Sequence, residues 1–189
     1  RTPGAMSDKR EQLEKIAADA VQTAGLGNLS FRTLAERGGV KSSSVHYYFR
    51  AKGDLAQALI ENYSSEFRTE LTRIGAARGS LRDKLDRFVD IFESVLGGGK
   101  LCLCGAMAAE VTTLDETSQA LLKRYFHEAE SWLVEVLQAR TDELTTPLPP
   151  ESFARILMSG LEGAILIDRV DRSRERLTAM RELVRSATS

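Results

Sequence analysis

With 189 residues, 42% hydrophobic and 28% charged, the chain can bury a sizeable core in one or two domains and reads as globular rather than disordered. A net charge of −1 excludes a uniformly basic coat for nucleic acid, and two cysteines exclude a disulfide scaffold. No apolar run approaches the roughly 20 residues of a bilayer span, so no membrane association is expected and a cytoplasmic location is.

The charge is uneven. Residues 1–54 hold nine basic and six acidic side chains, against 17 and 21 in the remainder. One of the nine is Arg1, in an RTPGA stretch that reads as an appended remnant over residues 1–5, with Met6 the expected native start.

The first predicted helix runs from Lys9 to Ala24, with Leu13, Ile16, Ala17, Ala20 and Val21 on one stripe and Gly25 and Gly27 stopping it. Ser30 is placed to cap a second helix carrying Phe31, Leu34 and Ala35, which ends at Gly38-Gly39. One glycine there can take the left-handed conformation, and a missing side chain lets two helices approach closely. Val40 follows as an apolar plug. Lys41-Ser42-Ser43-Ser44 then opens a third helix that Val45 and Phe49, four apart, pin inward. Its outer face is left to Ser43, His46 and Tyr47. Serines are poor in helix interiors but suit a helix start, where hydroxyls cap or reach phosphates and base edges. Two short helices, a glycine turn and a polar, aromatic second helix are how a protein offers a helix to the major groove of DNA.

A long fourth helix starts at Lys52, with Leu55, Leu59, Tyr63, Phe67, Leu71 and Ile74 at three- or four-residue steps until Gly75 and Gly79. Ser80-Leu-Arg-Asp83 has the form of a capped start, followed by Leu85, Phe88, Val89 and Phe92 and stopped by Gly97-Gly98-Gly99. Leu101–Val111 is small and apolar, and Glu116–Arg140 is a long amphipathic helix. Pro147, Pro149 and Pro150 enforce an extended linker, with Pro150 suited to a first helical turn. Two helices close the chain, Glu151–Val170 and Ser173–Ala187. The expected fold class is all-α with about nine helices, free of repeats and of β alternation.

The pattern Leu34-Ala35-x-x-x-Gly39-Val40, then Val45-His46-Tyr47-Tyr48-Phe49 and Lys52-x-x-Leu55, resembles the tetracycline-repressor (TetR) family of transcriptional regulators over about Glu11–Leu59. It departs from the common pattern at Gly38, Val45 and His46. The resemblance implies an N-terminal three-helix helix-turn-helix DNA-binding domain, residues 6–54, and a C-terminal helical ligand-binding and dimerisation domain, residues 55–189. It also implies a ligand-responsive repressor of a palindromic operator in double-stranded DNA. Ser42–Tyr48 becomes the recognition helix, with Ser42 and Ser44 flanking base contacts from Ser43, His46 and Tyr47, and phosphate contacts from Thr33, Lys41, Tyr48 and Lys52. For Tyr47 and Tyr48, packing of one ring on the domain's own core is an equal reading.

The last two helices present Phe153, Ile156, Leu157, Gly160, Leu161, Ala164 and Ile165, then Leu177, Met180, Leu183 and Val184. Periodicity alone lets both stripes simply close the monomer core. The resemblance implies a homodimer whose seam uses Phe153, Ile156, Leu157, Gly160, Ala164, Met180, Leu183 and Val184. Candidate walls for a small hydrophobic effector are Phe67, Phe88, Phe92, Met107, Tyr125, Phe126, Trp132, Met158 and Leu161, although each alone reads more readily as ordinary core. Glu110 and Glu162 stand among apolar neighbours and need partners if buried; each can instead face solvent or the seam.

Cys102 and Cys104, two apart, point in different directions and are poor partners for a disulfide. They read as small buried apolar groups; a redox- or electrophile-sensing alternative needs an exposed, low-pKa thiol. An enzyme finds little support: the chain has no GK[ST] phosphate loop, no His-Glu-x-x-His, no Cys-x-x-Cys and only two histidines, and no cofactor or metal is implied. A helical protein-binding adaptor remains an alternative to the regulator.

Overall fold

The amphipathic stripes and capped ends become nine α-helices among the described residues of the computed structural model, which covers residues 3–189 with side chains from Asp8 onward. Arg1 and Thr2, part of the expected remnant, lie outside the described residues. The helices are α1 (Pro3–Ala24), α2 (Phe31–Gly38), α3 (Ser42–Tyr48), α4 (Lys52–Ala76), α5 (Leu81–Gly97), α6 (Leu103–Ala108), α7 (Glu116–Gln138), α8 (Pro150–Asp171) and α9 (Glu175–Ser186). Short 3-10 turns sit at Leu26–Asn28, Val111–Thr113 and Thr141–Glu143.

Two compact units form. The first takes the chain through Ser65 together with Leu103–Lys123; the second takes Glu66–Cys102 and Arg124–Ser189. The first unit is built around α1, whose Leu13, Ala17 and Val21 are fully buried alongside Leu34 of α2, Val45 of α3, Leu55 and Ile60 of α4, and Leu103 and Met107 of α6. In the second, Leu85, Phe88 and Val89 of α5, Leu133 and Leu137 of α7, and Phe153, Leu157 and Leu161 of α8 are buried together with Leu177 and Val184 of α9. Burying each such side chain is worth roughly 1.5–3 kcal/mol before the entropy cost of ordering it.

Helix ends follow their predicted chemistry. Ser80 and Asp83 form a reciprocal capping box at the start of α5, and Pro150 occupies the first turn of α8. The small, apolar Leu101–Val111 stretch is α-helical only over Leu103–Ala108. Cys102 precedes α6, and the chain leaves the helix after Ala108, with Glu110 at φ −109°, ψ 17°.

Three polar anchors in the second unit carry no periodic signal. Lys84, buried, donates to the carbonyls of Ile74 (3.2 Å), Gly75 (2.7 Å) and Ala77 (2.7 Å) at the end of α4. Burial, with Arg140 and Arg87 nearby, holds its ammonium below the ordinary lysine range. Asp168, also buried, accepts the N–H of Arg176 at 3.1 Å and of Leu177 at 3.0 Å, fixing the α8–α9 turn. Burial alone would raise its pKa; those N–H donors, with the Ser173 hydroxyl and Arg176, outweigh it and hold the carboxyl below its usual range. Arg181 of α9 ties Asp86, Asp90 and Glu93 of α5.

Candidate nucleic-acid interface and effector region

The helix-turn-helix is set by three local devices. At the start of α2 the Thr33 N–H donates to Ser30 Oγ (3.1 Å) while the Ser30 N–H donates to Thr33 Oγ1 (3.0 Å). Thr33, expected on phosphate, therefore has its hydroxyl engaged in the cap. The two glycines divide the work at the turn. Gly39 adopts φ 63°, the left-handed region, and a side chain at Gly38 would meet Leu13 Cδ2 at 2.6 Å. The Val40 N–H then closes onto the Ala35 carbonyl at 3.0 Å, and Val40 itself is only half-buried.

Val45 and Phe49 point into the core, as their spacing requires, and the Arg10 guanidinium sits 5.3 Å from the Phe49 ring centre. That leaves Ser42, Ser43, His46 and Tyr47 exposed and Ser44 and Tyr48 half-buried. Tyr47 is 67% exposed and meets the Tyr48 ring edge-on at 5.2 Å, so the inner of the two tyrosines is Tyr48. His46 stays exposed while its ring stands 4.9 Å edge-on from Phe31. Lys41 is exposed at one end of α3, and Arg50, exposed beyond Phe49, stands two residues before the half-buried Lys52. Arg50 carries no helical-periodicity signal; its position directly after the apolar Phe49 is the only sequence cue to it.

The same unit contains an anchor built from residues far apart in sequence. Glu110 accepts the N–H groups of Leu26 and Gly27, both at 2.7 Å, and so holds the turn between α1 and α2. Asp115 caps α7 through the Ser118 N–H (2.7 Å) and takes the Gln57 amide of α4 (3.3 Å). Backbone donation from Ser118, only partly opposed by burial, keeps the Asp115 carboxyl below its usual range.

Most expected effector-binding residues meet in the second unit. Phe67 lies 5.0 Å from Tyr125 and 6.1 Å from Phe88, which stacks on Trp132 at 5.7 Å and touches Phe92 at 5.7 Å. Tyr125 also meets Phe126 at 5.2 Å. Met158 and Leu161 are buried on α8. Met107 and Glu110 are not part of this cluster: they belong to the first unit, and Glu110 is spent on the α1–α2 turn. Glu162 is different. One of its oxygens, Oε1, is buried with no hydrogen-bond partner. Burial pushes its carboxyl up to about 7, offset only in part by a hydrogen bond with the Cys102 thiol. The Cys102 sulfur in turn lies 3.5 Å from the Tyr125 hydroxyl.

The model of bacterial regulatory proteins of the tetR family matches residues 15–59, from the middle of α1 into α4. A solved TetR transcriptional regulator from Legionella pneumophila is 25% identical, with a TM-score of 0.88 over 95% of this chain and 96% of that one. Residues 15–59 carry the tetR-family helix-turn-helix, and the fold is TetR-like. A second family structure, from Agrobacterium tumefaciens, is similar in fold, with a TM-score of 0.92 at 21% identity over 97% of this chain and all of that one. Among curated proteins, the HTH-type transcriptional regulator BetI of Escherichia coli is 30% identical over 89 residues, 46% of this chain and 46% of that protein. The match thus spans about half the length of that relative. TetR-family regulators are not enzymes.

Within this TetR-like fold, four residues expected at a dimer seam are internal to the chain. Phe153, Leu157, Ala164 and Val184 are buried in the chain's own core, and Gly160 faces Met180 of α9 so closely that an added side chain would meet the Met180 methyl at 2.5 Å. Met180 and Leu183 are half-buried. The unpartnered apolar face of α8 lies on the opposite arc. Ile156, Leu166, Ile167 and Val170 are exposed, Val170 at 78%, and Gly163 leaves open space between them. Of the expected set, Ile156 alone is exposed there. Both thiols are buried, so the exposed sulfur on which the redox alternative depends is missing. No helix of the described residues is long and apolar enough to cross a membrane.

Proposed function

We propose that this chain is a DNA-binding transcriptional regulator, acting in the cytoplasm as a homodimer on a two-fold symmetric operator and released from it by a small hydrophobic effector. Residues 6–54 read DNA, and the remainder senses and dimerises. The observation that carries this reading is the outward face of α3: Ser42, Ser43, His46 and Tyr47 exposed over a buried Val45 and Phe49, flanked by Lys41, Arg50 and Lys52. Hydroxyl, imidazole and phenol groups can read base edges, and the cations fix register on phosphates. Two copies paired through the α8 stripe would present two such helices to successive major grooves. Repression follows if the occupied operator blocks polymerase.

Release needs an effector that prefers one of two conformations. The aromatic cluster of the second unit supports a site for it, and α4 and α7, each contributing residues to both units, supply continuous helices along which a shift can be delivered. The test is binding to the gene's own upstream region by fluorescence anisotropy. Lys52→Ala should weaken binding about equally on every bound sequence and reduce the salt dependence by about one released ion. Unchanged affinity removes Lys52 from the interface; no binding by the wild type to that or neighbouring promoters favours the adaptor.

A further inference from the structure

The effector site proposed above has one end whose chemistry is unfinished, and the following rests on that reading. The rings from Trp132 through Phe88 and Phe67 to Tyr125 form a continuous contact series. Tyr125 leads to the Cys102 sulfur, and Cys102 to the carboxyl of Glu162. There the series stops at Oε1, an oxygen shielded from solvent with nothing donating to it. A buried carboxyl normally recruits a cation or several donors, because leaving it bare costs more than burying an apolar group of the same size.

Among the described residues, Glu162 has no ion pair with a cation of α8 or α9. Within α8, Arg155 and Arg169 stand seven residues to either side, about 10 Å along the axis by helical rise. From α9, Arg176 is engaged by Asp168 and Asp171, and Arg181 by Asp86, Asp90 and Glu93 of α5. The titratable groups beside the carboxyl are the Cys102 thiol and, beyond it, the Tyr125 phenol. Neither brings a positive charge.

We propose that the effector is an organic cation carrying at least one N–H, an aryl- or alkylammonium whose ammonium donates to Glu162 Oε1 while its apolar body lies among Tyr125, Phe67 and Phe88. Carboxylate and ring faces both favour a cation, so the two halves of the site select the same ligand. A neutral alcohol of equal size satisfies the hydrogen bond but leaves the charge uncompensated. An anion is repelled.

Trp132, stacked on Phe88, is the sole tryptophan of the chain and serves as the reporter. The full chain is titrated with 2-phenylethylammonium, 2-phenylethanol, ethylbenzene and 3-phenylpropionate while Trp132 emission and release of the upstream DNA are followed. At pH 8 the ammonium should bind at least tenfold more tightly than the alcohol. Because the cation needs the ionised carboxylate, its affinity should fall about tenfold between pH 8 and pH 6, and the alcohol's should not. In Glu162→Gln, shown to be folded by its retained DNA binding, the advantage of the ammonium should vanish. Neutral members binding as tightly as the ammonium, or a Gln variant that keeps the preference, overturns the cation inference and leaves the sensor reading standing. No response from any member of the series, charged or neutral, overturns both.

Discussion

Glu162 makes stability depend on pH in the direction opposite to most carboxylates. Its folded-state pKa of about 7 lies above the ordinary glutamate value of 4.5, so the native state holds the proton more tightly than the unfolded chain. Stability is then full at pH below about 4.5 and declines as pH rises toward 7, where the native state must either ionise a buried group or pay to keep it protonated. The span corresponds to on the order of 3 kcal/mol. Glu162→Gln keeps the shape and removes the titration. Urea unfolding at pH 5 and pH 8 should show the wild type losing stability relative to the Gln variant at the higher pH, and a difference that does not change with pH would contradict the buried-carboxyl assignment. The sequence flagged Glu162 and Glu110 by the same signal, an acid among apolar neighbours. They diverge because one found two backbone donors and the other found a thiol, a distinction set by tertiary contacts that neighbours in sequence do not encode.

At the scale of elements, what was legible is what local chemistry determines. Caps at Ser30 and Ser80, the Gly39 turn, Pro150 and the three- and four-residue apolar steps each name a helix end or face, and the helices appear where those signals stand. Partnerships between distant elements were not legible. Periodicity says that a face is buried without saying against what. Glu110 shows the consequence: 84 residues from Leu26 in sequence, it supplies both of its oxygens to the turn that sets α2 against α1. Glu110→Ala should therefore leave two N–H groups without acceptors and lower the stability of the first unit by about 1.5–3 kcal/mol, the worth of hydrogen bonds to a charged group. Hydrogen exchange at Leu26 and Gly27 should accelerate and operator affinity should fall, although Glu110 lies outside the DNA-reading face. Protection unchanged at those two amides would refute the anchoring role.

For the whole molecule, the decisive surface is the free arc of α8. The helix is apolar around much of its circumference, so the sequence pattern could not separate the arc that closes the chain's own core from the arc left exposed. Burial does separate them. Phe153, Leu157 and Leu161 face inward, while Ile156, Ile167 and Val170 recur at helical spacing on the exposed side with Gly163 between them. A single patch that must cover itself favours a two-fold contact, in which each residue meets its partner's counterpart across the axis. A glycine at its centre permits close approach of the two helices. Placing a charge there, as in Ile167→Asp or Val170→Asp, costs a monomer little, since both positions already face water. In a dimer it buries two like charges near the axis. The expected outcome is a folded monomer by sedimentation, with an unchanged far-UV circular dichroism spectrum, that has lost high-affinity binding to a two-half-site operator and retains only weak contact with a single half-site. A variant that still sediments as a dimer would move the interface elsewhere, and with it the spacing of the two α3 helices on which the proposed operator recognition depends.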